Sequence, residues 1–147
     1  VGPDQFLVGA PGARVGTSSS AGRAYLYHAS GTQLAVLTSP RPSQGESIGV
    51  SVAAAGVDRL LVGTRSYNVP GVGSSAPDGA VYVFSPDGKL QSFFLPPTNV
   101  LDRALGLSLA GNAGNLAVVG GIGDVPPYTV VGATANAALL LDLSARD

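Results

Sequence analysis

Gly22-Arg23-Ala24-Tyr25-Leu26-Tyr27 returns 57 positions later as Gly79-Ala80-Val81-Tyr82-Val83-Phe84, and after another 57, more faintly, as Asn136-Ala137-Ala138-Leu139-Leu140-Leu141. The stretch decides the fold because its surroundings recur with it. Ser47-Ile48-Gly49-Val50-Ser51-Val52-Ala53 comes back at the same offset as Ala104-Leu105-Gly106-Leu107-Ser108-Leu109-Ala110. Leu7-Val8-Gly9, Leu61-Val62-Gly63 and Val118-Val119-Gly120 each end a short apolar run in Val-Gly. A fixed period of this kind marks a repeat protein, in which each unit is one supersecondary element that buries its apolar faces only against neighbouring units.

The units read as strands. Gly and Pro number 21 and 11, so no stretch keeps a helical apolar spacing for three turns without interruption. The apolar runs are instead rich in Val, Leu, Tyr and Phe and are bounded by turn formers. In the most complete unit, strands are predicted at Val50 to Ala55, Arg59 to Thr64, Ala80 to Ser85 and Leu90 to Leu95. Ser85-Pro86-Asp87-Gly88 is the tight turn between the last two, with Gly88 supplying positive φ, and Gly31 serves the same purpose one unit earlier. Tyr82 and Phe84 face one side of the third strand and Val81 and Val83 the other, so that strand expects cover on both faces. A two-layer sandwich would leave one face polar. Four antiparallel strands per unit, in tandem and covered on both sides, describe β-propeller blades. The Val-Gly glycines Gly9, Gly63 and Gly120 suit a close approach of backbones.

The expected architecture is therefore all-β: a partial propeller of about 2.5 blades, each a four-stranded antiparallel repeat of about 57 residues. Residues 1–46 form a partial blade lacking its innermost strand, 47–103 a full blade, and 104–147 a partial blade lacking its outermost strand. The chain starts at Val1 and contains no Met, from which a processed product or a segment of a longer polypeptide is expected. Further blades, from the same chain or from a protein partner, are then expected to complete the ring, because open ends leave apolar faces in water.

Composition narrows the function. Charged residues make up 12% and the net charge is −1, so no basic footprint for nucleic acid is present. No apolar run approaches the roughly 20 residues of a membrane helix, and no membrane insertion is expected. Without Cys there is no disulfide framework, thiolate ligand or Cys nucleophile.

Phe6-Leu7-Val8-Gly9-Ala10-Pro11 followed by Gly22-Arg23-Ala24-Tyr25-Leu26-Tyr27 resembles the FG-GAP repeat, the blade unit of integrin α-subunit-like propellers. Ile48-Gly49-Val50-Ser51-Val52-Ala53 and Leu105-Gly106 stand where that family has Phe-Gly. The resemblance covers nearly the whole chain, with the third unit degraded at Gly120-Gly121-Ile122. It implies a propeller fold, a secreted or cell-surface setting, and a role in adhesion, ligand binding or scaffolding. Many members carry an Asp-rich Ca²⁺ loop between the first two strands of a unit. Here those loops are Ala55-Gly56-Val57-Asp58-Arg59 and Gly111-Asn112-Ala113-Gly114-Asn115, too poor in carboxylates for a calcium cage. No cofactor or metal is expected.

Catalytic constellations are weak. His28, the only histidine, reads as a strand-end residue with no nucleophile assembled around it, and the carboxylates fall singly in turns. The long connections 65–78 and 122–135, carrying Arg65, Tyr67, Asn68, Asp124 and Tyr128, are the candidate binding elements. The expected function is a non-catalytic propeller scaffold or protein-interaction module of an extracellular or cell-surface assembly. The alternative is a carbohydrate-binding, lectin-like propeller that takes a glycan on those loops.

Overall fold

Alternating apolar residues and tight glycine turns close consecutive strands into antiparallel ladders. The computed structural model describes residues 2–66, 79–95, 105–114, 116–121 and 138–143, with the side chains of 138–142 left aside. Among the described residues every regular element is a strand: β1 (Gln5–Ala10), β2 (Arg23–His28), β3 (Gln33–Leu37), β4 (Ser51–Ala55), β5 (Arg59–Thr64), β6 (Ala80–Phe84), β7 (Leu90–Phe94), β8 (Ser108–Gly111), β9 (Leu116–Gly120) and β10 (Ala138–Asp142). They form three antiparallel sheets in sequence order, β1-β2-β3, β4-β5-β6-β7 and β8-β9-β10. The middle sheet agrees with the four predicted strands to within a residue at each end. Gly31 and Gly88 take φ of 88° and 85° in the β2–β3 and β6–β7 turns, as L-residues rarely do. In the second of these turns an exposed ion pair joins Asp87 to Lys89 at 2.7 Å.

The sheets stack face to face. Leu60, Val62, Tyr82 and Phe84 on the front of the middle sheet pack against Ala24, Leu26, Ala35 and Leu37 on the rear of the first. On its rear, Leu61, Val81 and Val83 pack against Ala117 and Val119 of the third sheet. This explains why all five residues of β6 are buried. Ile48 and Leu105, which share the 57-residue offset, are buried in the first and second of these interfaces.

Contacts between sheets recur from one unit to the next. A Cβ on Gly9 would run into the carbonyl of Gly49, and a Cβ on Gly63 into that of Gly106. Gly22 meets Ile48 in the same way, and Gly79 meets Leu105. Register irregularities fall between Leu26 and Tyr27 and between Val83 and Phe84, again 57 apart, so the outer strand of both sheets is bent at the same place. Backbone ties across the stack include Ile48 N–H to the Ala21 carbonyl and Gly56 N–H to the Asn112 carbonyl, both at 2.9 Å.

Gly63 has no unusual φ, so its requirement is steric alone. Gly63→Ala is expected to lower unfolding free energy by about 1–3 kcal/mol in urea denaturation. Gly12, whose Cβ would meet nothing within 4 Å, provides the control: Gly12→Ala should stay within about 0.5 kcal/mol of wild type. Equal effects from the two would refute the packing account.

Candidate functional site

Strand direction sorts the connections by length. The strand ends that bound the longer intervals of sequence, such as Ala10, Leu37, Thr64, Phe94 and Gly120, lie at one end of their sheets, whereas the turns 29–32, 56–58 and 85–89 lie at the other. Of the residues predicted to bind on the long connections, only Arg65 is among the described ones. Tyr67, Asn68, Asp124 and Tyr128 lie outside them. Arg65 is exposed immediately after β5, and its N–H donates to the Glu46 carbonyl at 3.1 Å. Its side chain borders an open depression of about 540 Å³ shared with Pro11, Ser20, Ser47, Val50 and Leu107.

A second site at this end went unnoticed in the sequence. Glu46, the only glutamate, is 2% exposed. Its Oε1 accepts the Tyr82 hydroxyl at 2.9 Å and its Oε2 the Ser43 N–H at 3.1 Å. Ser39 Oγ lies 3.4 Å from the same Tyr82 hydroxyl. The Glu46 carbonyl takes the Thr64 hydroxyl together with the Arg65 and Ser66 N–H groups, the latter two at 3.1 and 3.2 Å. One residue thus ties the β3–β4 connection to the end of β5 and to the middle of β6. Above the carboxyl lies a cavity of about 390 Å³ walled also by Pro40, Arg41 and Phe93. Burial pushes the Glu46 carboxyl above its ordinary value of 4.5, and hydrogen bonds from Ser39, Tyr82 and Ser43 offset only part of that rise. The sole signal in sequence was a lone Glu among eight Asp, and it reads equally well as a solvated turn residue.

His28 closes β2 at the short-turn end, the opposite end from Glu46, and its Nδ1 engages Ser30 through the hydroxyl at 2.9 Å and the N–H at 3.1 Å. That is the strand-end histidine the sequence predicted. Among the described residues no three His, Cys, Asp or Glu come together to hold a metal.

Because the Glu46 value in the folded chain lies above the unfolded one, the folded state binds this proton more tightly. The stability it contributes is complete below about 4.5 and is lost as pH rises through the folded value. Denaturant unfolding of wild type and Glu46→Gln from about pH 4 to about pH 8 should therefore show wild type losing stability relative to the variant as pH rises. A flat difference would refute this. Tyr82→Phe removes a donor that lowers the Glu46 value, so it should move the loss to higher pH and cost about 1–3 kcal/mol at neutral pH.

Comparison with protein-family models, curated proteins and solved structures found no match to this chain.

Proposed function

We propose that this chain is a stretch of β-propeller acting as a non-catalytic scaffold and protein-interaction module, in a secreted or cell-surface assembly. The observation that carries the reading is the inter-sheet contact that recurs after one repeat, Gly9 on Gly49 and then Gly63 on Gly106. Sheets stacked face to face by an identical backbone contact are what tandem blades require. The resemblance of the Val-Gly and Gly-x-x-Tyr segments to FG-GAP units supports both the blade assignment and the extracellular setting. Separation of His28 from Glu46 supports a binding role over a catalytic one. The strand ends from which the long connections leave, with Arg65 exposed just after β5, supply the contact surface, since loops on a rigid scaffold vary without disturbing its core.

Photo-crosslinking from position 65 in a native cell-surface fraction, paired with a glycan array, tests the reading. The expected result is covalent capture of a defined protein partner, abolished by excess wild-type chain but not by excess Arg65→Ala chain, and no glycan binding. Glycan binding lost in Tyr67→Ala or Tyr128→Ala would replace it with the carbohydrate-binding alternative.

A further inference from the structure

The cavity over Glu46 is distinct from the depression that Arg65 borders. Its walls come from the β3–β4 connection, from Tyr82 of β6 and from Phe93 of β7, beside the interface between the first and middle sheets. The connection is pinned in place. Arg41 N–H donates to Ser39 Oγ at 3.2 Å, Ser18 Oγ to the Pro42 carbonyl at 3.1 Å and Gly45 N–H to the Ser19 carbonyl at 3.1 Å. At about 390 Å³ the cavity falls in the range of about 300–1,000 Å³ that small-molecule pockets occupy.

Three kinds of group border it. The first is the Glu46 carboxyl, on a residue that is 2% exposed. A carboxylate has about four acceptor positions, of which the Tyr82 hydroxyl takes one on Oε1 and the Ser43 N–H one on Oε2. Acceptor capacity is left for a donor arriving through the cavity. The second is Arg41, which is exposed. Among the described residues the one ion pair joins Asp87 to Lys89, so Arg41 and Glu46 border the same cavity without neutralising each other. The third is an apolar wall of Pro40 and Phe93. Phe93 remains 45% exposed although its ring leans on Tyr82 at 6.3 Å between centroids.

A simple cation would suit Glu46 and be repelled by Arg41, and a simple anion would do the reverse. A neutral guest would leave the ionised carboxyl without a counter-charge. A small zwitterion with an apolar body answers all three groups. We propose that this cavity binds a free α-amino acid with an aliphatic side chain, its ammonium on the Glu46 carboxylate, its carboxylate on Arg41 and its side chain against Phe93 and Pro40. The assignment needs only the packing of the β3–β4 connection on β6 and β7, and is independent of the propeller reading.

Binding is then coupled to a proton. Among the described residues, the titratable and charged side chains facing Glu46 are Tyr82 of β6 and Arg41 of its own connection, while β7 contributes the apolar Phe93. Burial favours the protonated carboxyl before a ligand enters. An ammonium favours the ionised form, so binding below the pKa of the ligand-free site releases a proton.

Titration calorimetry of the purified chain with L-leucine, isoamylamine and isocaproate tests the site, the two analogues each lacking one of leucine's charges. Leucine should bind at least about tenfold more tightly than either analogue, since each forfeits a charge-assisted contact. In buffers of different ionisation enthalpy, leucine should release a proton at about pH 5 and less of one at about pH 8. Arg41→Ala, at an exposed position, should weaken leucine by about tenfold while leaving isoamylamine no weaker. Glu46→Gln should abolish the proton release and bring leucine down to the affinity of isocaproate, with circular dichroism checking that the strands persist. Should that variant fail to fold, Arg41→Ala and the proton release in wild type decide. Absence of leucine binding, equal affinity for leucine and either analogue, no buffer dependence at about pH 5, or an Arg41→Ala chain that loses isoamylamine as fully as leucine would overturn the proposal.

Discussion

Backbone touching backbone at glycine is the constraint on which the structure depends. Where Gly63 meets Gly106 there is no room for a single methyl group, and the same is true where Gly9 meets Gly49. That approach sets the spacing at which Ile48 and Leu105 fill the gaps between sheets and at which Tyr82 and Phe84 reach the surface in front of them. Burial of large apolar side chains supplies most of the favourable free energy of such a stack. The glycines decide whether those side chains can meet at all.

Much of this was legible because repetition turns a weak local signal into a strong one. Any single run such as Leu60 to Gly63 is too short to separate strand from helix. Three runs spaced 54 and 57 residues apart, each ending in Val-Gly, are not. The alternation in β6 announced cover on both faces, and both faces are covered. Turn chemistry at Gly31 and Gly88 placed the hairpins because positive φ at those points leaves few other residues suitable. The register irregularities after Leu26 and Val83 were not legible, since an extra residue in an outer strand looks like any other in sequence.

The candidate site was less readable, for a different reason. Glu46 and Tyr82 are 36 positions apart and belong to different elements. Nothing in the local sequence around Glu46 distinguishes a carboxylate that will accept a buried hydroxyl from one that faces water. Only the stacking of β3 and β6 removes solvent from it and makes its donors matter. Arg65 was found by loop length alone, and its backbone bond to Glu46 links the predicted rim residue to the unpredicted buried one. The carboxyl that organises the β3–β4 connection therefore lies beneath the surface where contacts with partners are proposed.

Cover on both faces also ranks the sheets by how readily they open. In a linear stack each sheet is held only by its immediate neighbours, so a terminal sheet parts from one interface while the middle one must part from two. Amide hydrogens of β5 and β6, at the centre of the β4-β5-β6-β7 sheet, are thus expected to exchange more slowly than those of the neighbouring sheets. Among the described residues that sheet is also the one with four strands, so cover on both faces and the widest ladder coincide.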